Sequence, residues 1–355
     1  MPDQPTVQYG ETQIILDPSF PFIDLHRHIE GNVRLETILD LADKHAISVP
    51  ATNVESLRPH VQVTTSTRDV MAFIAKFELL TAVMADLEAC RRIAYENIED
   101  AASEGIDYLE LRFSPWFMAA THQLDPIGVV ESVLDGVAEG IRDFGMRAKS
   151  IGILSRTYGP QVALKELEAL LQYPDGIVAL DLAGDEINFP PQLFEEHFRQ
   201  ARAVGWQITV HAGEHSDEVG ALNIWTAIKE LGAVRIGHGI GAWNDLPLMD
   251  YMLEHRVAIE GCLTSNVQTR SVKTYADHPL KQFLERGLLA SINTDDPGIS
   301  NIDLAYEYTV AAPAAGLTGK QIQQAQRNAL TTAFLSSEEK ASLRAKKQNL
   351  QGSSE

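Results

Sequence analysis

Basic charge, cysteine and long apolar runs are all scarce in this chain. Lys and Arg number 29 against 49 Asp and Glu, a formal net charge of −20. Such a surface repels nucleic-acid phosphates and anionic membranes, so neither is expected as a partner. A small neutral or weakly charged molecule is the easier substrate. Cys90 and Cys262 are the only cysteines and share no C-x-x-C spacing, which removes a disulfide framework and a thiolate zinc site. Both are expected in the core. No apolar stretch approaches membrane-spanning length, and Met1-Pro2-Asp3-Gln4-Pro5 lacks a basic region followed by an apolar one. The expected compartment is the cytoplasm. Internal repeats, low-complexity linkers and glycine-rich phosphate loops are also missing.

What is present is enough apolar material for one large domain: 355 residues, 45% hydrophobic. Apolar β-type runs alternate with amphipathic stretches, the pattern of βα units on a parallel sheet. The runs fall near 22–26, 106–113, 147–154, 177–182, 207–211, 234–238, 256–261 and 289–294. Eight parallel strands predict an α/β fold of the eight-stranded (β/α)8 TIM-type barrel. Apolar residues at three-to-four spacing predict helices around 127–143, 161–172, 192–204, 218–231 and 245–255. Residues 32–105 are too many for one crossover helix and predict extra helices inserted after the first strand. Val70, Phe73, Ile74, Phe77 and Leu80 form an apolar stripe there, read either as core packing or as part of a lid. The barrel is expected over residues 1–335, and 336–355 as a polar tail, helical and solvated.

In such a barrel the chemistry sits at the C-terminal ends of the strands. The histidines and aspartates at four of those ends are His26 and His28, His211, His238, and Asp295 with Asp296. Side chains two apart on a strand share a face, so His26 and His28 can converge on one ion. An H-x-H pair alone is a weak signal; four coincident strand ends are a strong one. Nitrogen and carboxylate donors without thiolate suit zinc, while iron, cobalt and manganese are compatible. Bound zinc brings the pKa of water down to about 7 and so supplies a nucleophile. Glu214, three residues beyond His211, is placed to provide the proton that the attacked group needs, if burial keeps it protonated. It also suits a helix N-terminus. The remaining histidines, at 45, 60, 122, 197, 215, 255 and 278, are expected at the surface, with His215 undecided.

These segments resemble the adenosine deaminases, in particular the bacterial type, from about Phe22 to Leu335. The resemblance rests on D-L-H-R-H-I-E-G at 24–31, E-L-R-F-S-P at 110–115, L-D-L-A-G-D-E at 180–186, T-V-H-A-G-E at 209–214, R-I-G-H-G at 235–239, L-T-S-N at 263–266 and S-I-N-T-D-D-P at 291–297. It implies one zinc ion on His26, His28, His211 and Asp295. It implies that Glu214 protonates purine N1, that His238 orients the attacking water, and that Asp296 hydrogen-bonds substrate and water. Gly184 would bring its backbone to purine N3, and His28 and Glu30 would also touch the substrate. The reaction would turn adenosine, and 2′-deoxyadenosine with it, into inosine and ammonia, as in purine salvage. Position 30 departs from the family: Glu stands where Asp usually contacts the ribose 5′-hydroxyl, and related adenine deaminases carry Glu. Adenine deaminase is therefore one alternative, and a non-catalytic purine-binding protein another. A two-metal amidohydrolase would generally need a bridging lysine at the fourth strand, and Ile177 to Ala183 has none. Cytidine-deaminase motifs are missing. Oligomeric state is open.

Overall fold

The computed structural model describes residues 16–352 except 64–65, 69 and 216–217, and gives no side-chain placement for Val70 or 350–352. Met1–Pro5, read above for a leader, lies outside the described residues.

Eight strands pair in parallel in chain order: β1 Ile23–His28, β2 Tyr108–Phe113, β3 Arg147–Ser155, β4 Ile177–Ala183, β5 Gln207–Ala212, β6 Arg235–His238, β7 Ala258–Gly261 and β8 Ala290–Ile292. The sheet curls until its edges meet, where a single bridge pairs Arg27 with Asp295. His28 N–H donates to Asp295 O at 2.9 Å, and Asp295 N–H to His26 O at 2.8 Å. The fold is the expected (β/α)8 barrel, with strands beginning and ending within about two residues of the apolar runs.

The long crossover after β1 holds four shorter helices, Leu35–Lys44, Val54–Val61, Val70–Ile74 and Phe77–Ala82, ahead of Leu87–Ser103, which packs on Pro126–Phe144. Asp86 and Asp125 cap those two long helices through their side chains. A capping box at Thr318 and Gln321 starts Gly319–Thr332, the helix that returns against β8.

Inside the barrel the strands carry charge where an apolar pattern would predict none. Glu110, Arg235, Glu260, Arg112 and Asp181, all buried, form a continuous ion-pair chain with contacts from 2.5 to 2.8 Å. Each charge faces an opposite one, the condition under which burial is tolerable. One end of the chain holds Phe334 N–H and Thr332 O beneath the barrel; the other ends at the histidines of the candidate site.

The segment read as a polar tail forms a helix, Ser337–Gly352. It is not wholly solvated, because Leu343 is buried against Ile23, Leu25 and Tyr108 at the barrel's lower end. Both cysteines are buried. No described helix is long and apolar enough to cross a membrane.

Candidate active site

The ion-pair chain fixes how two imidazoles present themselves. His26 Nδ1 lies 2.7 Å from Glu260 Oε2, and His211 Nδ1 lies 2.9 Å from Asp181 Oδ2. Burial alone would protonate these carboxyls. Arg112 and Arg235 hold Glu260 far below the usual carboxylate range, and His211 with Arg112 does the same for Asp181. Each carboxylate can only accept, so each Nδ1 must donate, and the Nε2 atoms of His26 and His211 are turned toward each other. Those two nitrogens stand 3.0 Å apart. His28 Nε2 stands 3.2 Å from that of His211, and Asp295 Oδ1 is 3.1 Å and 3.2 Å from His26 and His28. Four ligand atoms thus lie within 4.8 Å of one another, and the Asp295 and Glu260 carboxylates raise His26, so positive charge is favoured at this spot. Three imidazole nitrogens and one carboxylate oxygen converging on one point are a zinc-type ligand set, so the residues fit a metal.

A second group, His238, Cys262 and Asp295, also meets that distance. Burial pushes the Cys262 thiol well up, and its Sγ lies 3.8 Å from Glu260 O, so the protonated sulfur is the poorer ligand. Asp295 and His238 share a further feature: φ of 66° and 63°, the left-handed region that side chains seldom enter. Strain of this kind costs about 1–3 kcal/mol per residue and is kept where geometry matters.

Next to the donor cluster opens a cavity of about 200 Å³. Phe73, Ile74, Phe77 and Phe117 give it an apolar lining, so the stripe of the inserted helices does reach the cavity, although Leu80 is buried in the core. Glu30, Gly184, Glu214, His238 and Asp296 line it as well. Glu30 Oε1 accepts from Ser114 N–H at 2.6 Å, while Oε2 has no partner among the described residues; burial pushes this carboxyl up to about 7. Asp296 is pushed well up by burial and by Asp295, Glu30 and Glu214, and its Oδ1 is also unpartnered. Glu214, partly open to the cavity, is raised by burial, with His238 opposing. Gly184 sits at φ 110°, and a Cβ there would come within 2.4 Å of Thr157 Oγ1.

Every candidate from the sequence therefore borders one cavity or its donor cluster. The surface reading fails for two other histidines. His197 packs against Phe194 and bonds Pro160 O at 2.8 Å, and His278 is 1% exposed. Arg112, Asp181 and Glu260 escaped sequence reasoning as orienting groups. Their one signal was charge inside a strand that is otherwise apolar.

The adenosine deaminase family model matches residues 21–349. Adenosine deaminase of Klebsiella pneumoniae is 59% identical over 93% of this chain and 98% of its own length. That of Escherichia coli strain SE11 is 56% identical over 94% and 99%. Among solved structures, an adenine deaminase from Arthrobacter aurescens aligns with a TM-score of 0.85 at 26% identity, covering 93% of this chain and 99% of that one. A Burkholderia ambifaria amidohydrolase with bound Zn aligns at 0.83 and 22% identity over 96% and 93%, a likeness of fold alone.

Proposed function

The chain belongs to the adenosine deaminase family and is a hydrolytic deaminase, and from that premise we propose that it uses one zinc ion to convert adenosine and 2′-deoxyadenosine to inosine or 2′-deoxyinosine and ammonia. His26, His28, His211 and Asp295 would hold the ion. The observation that carries this reading is the convergence of three imidazole nitrogens and the Asp295 carboxylate within 4.8 Å. When bound, zinc makes water a nucleophile at neutral pH. Glu214, whose neutral form burial favours, gives its proton to purine N1 and so draws electron density from C6. His238 orients the attacking water, and Asp296, with a free oxygen, bonds substrate and water. The apolar lining excludes bulk water from the base, and the Gly184 backbone approaches purine N3. Glu30 Oε2 accepts from a ribose hydroxyl. This chemistry belongs to purine salvage.

Glu30 also favours a second reading, free adenine as substrate, because the longer side chain takes up space that ribose would need. Ammonia release from adenosine, 2′-deoxyadenosine, adenine and AMP, with and without a zinc chelator, separates the two. Chelator-sensitive turnover of the nucleosides is expected; preference for adenine overturns the substrate assignment. Glu214→Gln is expected to keep zinc and fold while losing about 10²-fold or more in kcat, the range for a lost general acid. Near-normal turnover would refute its role.

A further inference from the structure

Behind His238, on the side away from the donor cluster, three buried groups hydrogen-bond in series. Leu280 N–H donates to His278 Nδ1 at 3.1 Å. His278 Nε2 lies 3.2 Å from Asn266 Oδ1, and Asn266 Nδ2 lies 3.1 Å from His238 Nδ1. Asn266, His278 and His238 are each at most 1% exposed.

In most such chains proton positions are ambiguous, since an amide can flip and an imidazole can hold its proton on either nitrogen. Here a backbone N–H starts the series, and a backbone N–H can only donate. His278 Nδ1 must therefore accept. Burial drives its ring down to about 3, so at neutral pH it carries one proton, and that proton is on Nε2. The Asn266 atom facing it must be the carbonyl oxygen, which turns the amide nitrogen toward His238. His238 Nδ1 then accepts, leaving its proton on Nε2, the nitrogen 4.0 Å from Asp295 Oδ2.

We propose that Asn266 and His278 are positioning residues which, anchored by the Leu280 amide, hold His238 as the Nε2–H tautomer facing the reaction centre. His238 thus presents a donor to the attacking oxygen and keeps no lone pair there. The dependence runs through two side chains that touch neither substrate nor the candidate metal ligands. The role in turnover rests on the proposed reaction; the tautomer does not.

Two measurements on the zinc-loaded, full-length protein test this: 15N shifts of histidine rings, with the His238 signal assigned from its loss in His238→Gln, and steady-state kinetics on adenosine. The wild type is expected to show His238 protonated on Nε2. In Asn266→Asp the carboxylate accepts from His238 Nδ1–H, so the tautomer reverses and kcat falls by about 10² or more at little-changed KM, as when an active-site imidazole is held in its wrong tautomer. His278→Phe fills the site without a donor and is expected to mix the tautomers and lower kcat about tenfold. His278→Gln, whose amide can donate to Asn266 Oδ1, restores most of it. A wild-type His238 protonated on Nδ1, or an Asn266→Asp protein with unchanged tautomer and kcat, overturns the proposal. Should His278→Phe fail to fold, the near-isosteric Asn266→Asp and the wild-type tautomer still decide. The expected tautomers without turnover of any purine would count against the reaction and support the positioning chain.

Discussion

At position 31 there is room for a hydrogen and nothing larger. A Cβ would lie 1.7 Å from Asp296 Oδ1, so the glycine is what lets Asp296 stand beside the cavity. Gly31→Ala is expected to displace that carboxyl and cut kcat by about 10²-fold, the cost of a misplacement near 1 Å, while zinc content by elemental analysis stays unchanged. Loss of zinc instead would mean that the strand end had moved. Glu307 carries a different burden. It accepts from Thr264 N–H at 3.1 Å, its Oε2 has no partner among the described residues, and burial pushes it from 4.5 to about 8. The folded protein therefore keeps a proton that the unfolded chain releases near pH 4.5. Its stabilising contribution is complete below that pH and disappears as pH rises through 8. Glu307→Gln, neutral throughout, is expected to lose about 2 kcal/mol less stability than wild type between pH 6 and 8 in urea unfolding. Parallel pH slopes for the two proteins would refute a protonated Glu307.

At the scale of elements, the helix Ser337–Gly352 shows how one residue can tie down a charged segment. Lys347 bonds Asp107 at 2.7 Å and Arg147 donates to Glu339 O at 3.2 Å, both half-buried and still open enough to water to contribute little. Leu343 plugs the lower end of the barrel. Leu343→Ala is expected to cost about 2–5 kcal/mol in urea unfolding with kcat unchanged at 25 °C, because the cavity opens far from the chemistry. A cost below about 0.5 kcal/mol would show that the helix is held by its charges. Sequence reading stopped short here for a physical reason: one leucine among lysines and glutamates has no periodic partners to announce a buried face. The strands were legible because burial on both faces demands continuous apolar runs, and His26, His28, His211 and Asp295 were legible because they end such runs. His278 follows no run and precedes a proline, so nothing local marks it as buried. Arg112 and Glu260 gave a signal, charge inside a strand, but which charges meet across the barrel is decided by register between strands distant in sequence.

For the whole molecule the seam between β8 and β1 matters most. Seven strand pairs are joined by ladders of two or more residue pairs, whereas the eighth relies on one bridge and a few bonds around His26, His28 and Asp295. An ion shared by those residues would clasp the barrel at its weakest junction. Zinc removal by a chelator is expected to lower stability by about 4 kcal/mol if the ion is present at 1,000 times its dissociation constant. It is also expected to speed amide exchange at His28 and Asp295 before the other strand amides. Equal stability with and without chelator would place the ion elsewhere.

The seam has a consequence in time as well as in space. Leu25 bonds the Asn293 side chain across 268 positions of chain, so β1 is the first of the eight strands to leave the ribosome and must wait for the other seven before its second edge is covered. Throughout that interval it exposes unpaired backbone between the apolar side chains of Ile23 and Leu25, the kind of edge on which other nascent chains pair. Slow translation lengthens the exposure in proportion. The last strand made is thus the one that shields the first.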